Sequence, residues 1–128
     1  MKFRLKEESR IAIPVTGNRG LLSIVSRHFG KAEGFIIVDT AATEIVYLET
    51  SAARVENECA PIHALNSKGC QALVCFSMGG GAHRRCMEND LKVFRLEDAE
   101  RVCDALEQYN SGCLEIFGKE ALCSHQHH

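Results

Sequence analysis

Residues 72–96, ALVCFSMGGGAHRRCMENDLKVFRL, decide the fold. The run Ala72 to Phe76 is short and wholly apolar, as expected of a strand covered on both faces. Gly79, Gly80 and Gly81 break it, and a helix is expected from about Ala82 to Asp90. Lys92 to Leu96 then reads as a second strand, with Val93 and Leu96 among its apolar residues. Strand, glycine turn, helix and strand make one βαβ unit, whose two strands run parallel through a right-handed crossover.

Upstream, Ile11 to Val15, Phe35 to Asp39 and Glu44 to Glu49 are β-branched or alternating and read as three strands. Pro14 suggests an edge or a strand end. The turn after Asp39 is so short that the second and third strands must be antiparallel. Residues 16–34, rich in glycine and serine, read as a loop. Asn57 is expected to cap a helix running to about Ser67, with Gly69 as its stop. Downstream, Leu96 to Tyr109 reads as the longest helix, with Ala99, Val102, Cys103 and Leu106 on its apolar face. The order is therefore β-β-β-α-β-α-β-α, in one domain spanning 10–117. Residues 118–128 are expected to be a disordered tail containing Cys123 and the ending HQHH, a composition able to bind divalent metal.

Composition excludes several classes of function. The 128 residues carry 15 Lys and Arg against 17 Asp and Glu, so no strongly basic footprint for nucleic acid exists. Aromatics make up 6% and Trp is absent, which leaves few stacking platforms for single strands. There is no apolar run of membrane-spanning length and no apolar stretch in MKFRLKEESR, so a cytoplasmic chain is expected. In that setting its 7 cysteines stay reduced, and an odd number cannot pair completely. No CxxC spacing is present, which argues against a zinc ribbon, a thioredoxin motif or a ferredoxin loop. Cys75 and Cys103 are expected in the core, whereas the sidedness of Cys70 and Cys113 is open.

With the first strand pointing up, three segments share the upper rim of the sheet: the 16–34 loop with His28, the start of the first helix, and the glycine turn. Ligands of open α/β sheets bind beyond the carboxyl ends of strands, where strand order switches. Cys59 and His63 are spaced i, i+4, and His83 and Cys86 i, i+3, so each pair shares a helix face. Thiolate and imidazole suit zinc, iron or iron–sulfur centres. Pro61 weakens the register of the first pair, because it belongs in the first turn. The amides of Gly79, Gly80 and Gly81, with Arg84 and Arg85 beside them, form an expected anion cradle. A thiol enzyme using Cys59 or Cys86, or a metal-independent regulatory or partner-binding module, remains as an alternative. An orienting base and carboxylate for the enzyme are not visible.

The stretches IAIPVTGN (11–18), SRHFGKAEGFIIVD (26–39) and KGCQALVCFSMGGGAHRRCMENDLKVFR (68–95) resemble the dinitrogenase iron–molybdenum cofactor biosynthesis family, which includes NifX-like proteins and the C-terminal domain of NifB-type proteins. The family's S-x-HFG-x-A signature matches at Ser26, His28, Phe29, Gly30 and Ala32. Its GGMG-x-x-A turn is represented by Ser77, Met78, Gly79, Gly80, Gly81 and Ala82. The resemblance spans about residues 10–112. It implies a ribonuclease H-like motif, α/β in three layers, with a mixed five-stranded sheet of order 3-2-1-4-5 and an antiparallel second strand. It also implies an accessory role: binding, carrying or helping to assemble an iron–molybdenum cofactor-like or iron–sulfur cluster received from, or passed to, another protein. No radical-SAM motif CxxxCxxC is present, so synthesis by that chemistry is excluded. The ribonuclease-like fold does not imply nuclease activity.

Overall fold

The computed structural model describes residues 10–39, 44–49, 60–112 and 114–116. Its strands are β1 Arg10–Thr16, β2 Ile24–Val25, β3 Gly34–Asp39, β4 Glu44–Glu49, β5 Ala72–Cys75, β6 Lys92–Arg95 and β7 Glu115–Ile116. The helices are α1 Ala60–Ser67, α2 Gly80–Glu88 and α3 Val102–Ser111, with two single 3-10 turns at Gly20–Leu22 and Phe29–Lys31. The tail 118–128 and the proposed cap Asn57 lie outside the described residues.

One mixed sheet carries the molecule, in the order β4-β3-β1-β5-β6-β7, with the short β2 beside β1. Among the described residues seven strands replace the expected five, because the two-residue pairings of β2 and β7 are too short to leave a period in the sequence. β3 runs antiparallel to β1 and β4, whereas β5 is parallel to β1 and β6. Pro14 sits within β1 opposite Phe35, in the middle of the sheet order and not at its edge. Its carbonyl still works, accepting the Ser26 amide at 2.8 Å.

Alternation divides the core in two. Ile11, Ile13, Val15, Ile36, Val38, Ala72 and Val74 face one side, against Ala99, Val102 and Ala105 around α3. Ala12, Phe35, Ile37, Leu73, Cys75 and Val93 face the other, against Ile62 and Leu65 of α1 and Cys86 of α2. Each large aliphatic or aromatic side chain so buried stabilises the fold by roughly 1.5–3 kcal/mol relative to exposure. Helices on both faces explain why β1, β3 and β5 are apolar between their ends.

α3 begins six residues later than expected. The Asp104 carboxylate accepts the Arg101 amide at 3.1 Å, which fixes the helix start there. Arg101 also bridges to Ile24, and its guanidinium donates to the Leu22 carbonyl at 2.7 Å. The apolar stripe is then Val102, Ala105, Leu106 and Tyr109, and Cys103 falls off it into solvent. Cys103 is therefore not a core residue, contrary to the sequence expectation.

At the lower end, Arg10 ties three elements together. Its Nε lies 3.0 Å from the Asp39 carboxylate, and its guanidinium donates to the Lys68 carbonyl beyond α1 at 2.8 Å. α1 therefore ends at the bottom of the sheet and starts at the top. α2 likewise starts above β5 and descends, since Ala72, at the bottom of β5, pairs with Lys92, which opens β6.

Candidate functional site

At the top of the sheet the 26–32 segment is stitched to the chain leaving β5. The Phe29 amide donates to the Ser77 carbonyl at 3.1 Å, and the Ser77 hydroxyl donates to the Arg27 carbonyl at 2.9 Å. The Arg27 guanidinium lies over the Phe76 ring, 4.5 Å from its centroid, at cation–π distance. Phe29 is buried below and packs against Phe35, with ring centroids 5.5 Å apart. The SRHFG segment and the SMGGG turn therefore form one rim.

Ser26 sets the pose of His28. Its buried hydroxyl donates to the His28 carbonyl at 3.0 Å and accepts the His28 amide at 3.4 Å. This folds the backbone back on itself, a local serine turn, and leaves the His28 side chain exposed. Ser26, Arg27 and Ser77 are thus the positioning residues that sequence reasoning left unassigned. Ser26 stood in the signature, but nothing in a single sequence tells a hydroxyl that bonds backbone from one that faces solvent.

α2 starts at Gly80, with Gly79 as its N-cap, so Gly80 and Gly81 are helical and the helix opens two residues earlier than expected. Its first internal bond runs from the His83 amide to the Gly79 carbonyl, 3.0 Å. Helical geometry leaves the amides of Gly80, Gly81 and Ala82 with no acceptor inside the helix. A Cβ added at Gly79, Gly80 or Gly81 would meet nothing within 4 Å, and none of the three has a positive φ. Neither packing nor backbone conformation demands glycine at these positions. They keep an open, side-chain-free surface over donor amides and the positive end of a helix dipole. Arg27, Lys31, Arg84 and Arg85 are exposed around or near this rim.

The expected ligand residues divide. His63, exposed, lies one turn below the upper end of α1, and His83 is half-buried in the first turn of α2. Cys59 lies outside the described residues. Cys86 does not reach the rim: it has no exposed surface and packs in the core beside Cys75, with Ala82 and Met78 against the same cluster. Its i, i+3 relation to His83 is real, but Cys86 itself points into the core while His83 stays half-buried. Burial pushes the Cys86 thiol up to about 12. Cys75 is also raised to about 12, by burial first and then by Cys86. Burial raises Cys70 to about 11, against the lowering effect of Arg10 and Lys68. Among the described residues, no three His, Cys, Asp or Glu side chains converge to hold a metal ion.

These thiols make a direct expectation. A short iodoacetamide pulse at neutral pH labels Cys103 fast and leaves Cys70, Cys75 and Cys86 at least about tenfold slower, because the thiolate is the reactive form and access is closed. Peptide mapping by mass spectrometry reads the order. The raised values also carry a sign. Stability from the neutral thiols of Cys75 and Cys86 is full below the unfolded value near 9 and is lost as pH rises toward about 12. Unfolding midpoints that fall with pH above about 9 in wild type, and less in Cys75→Ala, are the check.

The profile of the family described as dinitrogenase iron-molybdenum cofactor matches residues 9–112. A solved structure of a protein described as a candidate NifB from Thermotoga shares 33% identity, covering 84% of this chain and 92% of its own, with a TM-score of 0.73. The apo form of the orange protein from Desulfovibrio gigas shares the fold at 24% identity, covering 87% and 94%, with a TM-score of 0.77. A candidate dinitrogenase from Methanocaldococcus jannaschii shares it at 13% identity, covering 87% and 96%, with a TM-score of 0.64. No curated protein sequence matches the chain. Among the described residues no helix is long and apolar enough to cross a membrane. With the family profile covering most of its length and the candidate NifB identical at 33% of the positions aligned, this chain belongs to the dinitrogenase iron–molybdenum cofactor family.

Proposed function

We propose that the chain is an accessory protein that carries an anionic metal–sulfur cluster as cargo on the rim formed by residues 26–32 and the Gly79–Gly81 turn. Family membership supplies the chemical class, an iron–molybdenum cofactor-like or iron–sulfur cluster. One observation carries the site: three successive glycines, required by neither φ nor packing, lie open at a helix N-terminus hydrogen-bonded through Ser77 to the His28 segment. The amides of Gly80 and Gly81 and the guanidinium of Arg84 hold the negative charge. His28 faces the cargo as a soft nitrogen donor. His63 and His83 are assigned as further donors that the first and second helices bring toward this end; Cys59, outside the described residues, is assigned from the sequence alone. Cys86 packs beneath the turn and is not assigned a bond to the cargo.

This reading makes the protein a carrier and not a catalyst, exchanging its cargo with a donor or acceptor protein in the cytoplasm. Cys86, one of the two thiols considered for nucleophilic work with Cys59, is buried, and burial holds its thiol up at about 12. The strand order supports a ribonuclease H-like motif, extended here by β2 and β7. Domain limits of 10–117 belong to the same proposal. A metal-independent, partner-binding role is the second reading, favoured by the lack of a three-ligand centre among the described residues.

The test is anaerobic reconstitution with ferrous iron, sulfide and molybdate, followed by desalting, metal and sulfide analysis and an absorption spectrum. The expected result is a coloured complex that survives desalting. Gly81→Ala separates fold from function by sign. Alanine for glycine inside a helix stabilises by up to about 1 kcal/mol, yet a methyl group on the open surface should lower loading at least about fivefold. His28→Ala should lower it similarly with stability unchanged. No bound metal in wild type, or equal loading in Gly81→Ala and His28→Ala, refutes the site.

A further inference from the structure

The outer edge of β4 is a second feature that cluster carriage does not use. Among the described residues β4 pairs with β3 alone and ends the strand order. Its register with β3 is unbroken over six pairs, Gly34↔Glu49 to Asp39↔Glu44, so no bulge twists the edge away. Natural edges are commonly blunted with lysine, proline, a bulge or an inward-pointing charge. β4, Glu-Ile-Val-Tyr-Leu-Glu, has none of these between its ends. It presents Ile45 and Val46, on opposite faces, at 41% and 39% exposure. Leu21, 38% exposed, extends the apolar surface from the neighbouring 3-10 turn, which packs against β4.

Charge narrows the occupant. Glu44 and Glu49 close the strand at its two ends, and Glu33 stands beside Tyr47, whose hydroxyl donates to the Glu33 carbonyl at 3.4 Å. Among the described residues none of these three carboxylates is in an ion pair. A second copy adding its own β4 antiparallel and centred would set Glu44 against Glu49 at both ends, and like charges directly opposite are destabilising. A segment with cations at those two places meets no such cost.

We propose that the β4 edge is a docking site for an extended, basic segment of a partner protein, added as an antiparallel strand. Its recognition pattern is Lys or Arg opposite Glu49, four apolar or β-branched residues, then Lys or Arg opposite Glu44. Main-chain bonds supply affinity, and the end charges supply specificity and register. The site is independent of the glycine rim, so a carrier loaded there keeps this edge available to a partner.

The test uses the full chain, uniformly 15N-labelled, titrated with the capped peptide Lys-Val-Thr-Val-Thr-Lys and with its Glu-Val-Thr-Val-Thr-Glu counterpart. The expected result is saturable amide shifts confined to residues 44–49 and their β3 partners. The lysine peptide should bind at least about tenfold more tightly than the glutamate peptide, and the order should invert in Glu44→Lys/Glu49→Lys. Both glutamates are exposed, so the variant retains the fold, checked by its unshifted core amides. Absence of β4 shifts at millimolar peptide, equal binding of the two peptides, or a β4 already protected from solvent exchange in a dimer would each overturn the proposal. Loss of cluster loading leaves it untouched.

Discussion

Phe29→Ala should cost about 3–5 kcal/mol of stability, the range for removing a buried aromatic side chain without refilling the space. Phe29 belongs to a surface loop by sequence, but it is only 5% exposed. It fills the gap between Phe35 of β3 and the group that holds Ile62, Leu73 and Cys86. Losing the ring removes that packing and frees the segment whose amide bonds Ser77. Urea unfolding should show a lower midpoint with the slope unchanged. Phe29→Leu should cost about 1 kcal/mol, because most of the volume is kept. The consequence for the rim is separate: in Phe29→Ala the backbone amide at position 29 should exchange with solvent much faster than neighbouring β1 amides. A loss below about 1 kcal/mol in Phe29→Ala would show that the loop is not anchored in the core, and the rim would lose its rigid base.

That anchoring explains which parts of the molecule were legible in the sequence. The strands that carry the sheet were plain, because Ile11 to Val15, Phe35 to Asp39 and Ala72 to Phe76 are short β-branched or apolar runs; only the last read as covered on both faces, and Pro14 pointed the first toward an edge it does not occupy. Strand direction placed His28 and the glycine turn at the same end of the sheet; the parallel pairing of β1 with β5, which only the family resemblance implied, is what brings the two segments side by side. Direction of side chains was the weaker part. His83 and Cys86 share a face by spacing, but spacing is silent on whether a face looks in or out. In α2 the apolar Ala82 and Cys86 point to the sheet, and the arginines face solvent. Similarly, Ala99, Val102 and Leu106 suggested a continuous helix. The chain instead makes a turn capped by Asp104, and the shorter α3 leaves Cys103 outside. Short pairings such as β2 and β7 depend on tertiary contact and carry no local signal.

Gly34→Ala should be the other large loss, about 2 kcal/mol and within the usual 1–3 kcal/mol of overpacking. Gly34 opens β3 and pairs with Glu49, and the outer end of the Tyr47 ring occupies the space beside it from the diagonal position of β4. A Cβ built on Gly34 would fall 2.6 Å from Tyr47 Cε1, far inside contact distance. Backbone conformation is not the reason for glycine here, since Gly34 is not among the positive-φ glycines; the space is taken by a neighbour. Two responses are open to the variant. Tyr47 can swing out, losing its bond to the Glu33 carbonyl and its packing on the Ile13 side of the core, or β3 and β4 can separate at that end. Both weaken the edge strand without touching the glycine rim. A double-mutant cycle distinguishes this from a general intolerance of alanine. Tyr47→Ala alone should cost about 2 kcal/mol by lost burial. Gly34→Ala in that background should then cost close to nothing, giving a coupling of about 2 kcal/mol between two residues on adjacent strands. Additive losses would mean that the clash is relieved elsewhere and that Tyr47 does not set the requirement for glycine. The same variants place a limit on the docking edge: if Tyr47 leaves the strand, the face shared by Ile45 and Tyr47 is broken, and the basic peptide should lose affinity in step with stability at β4.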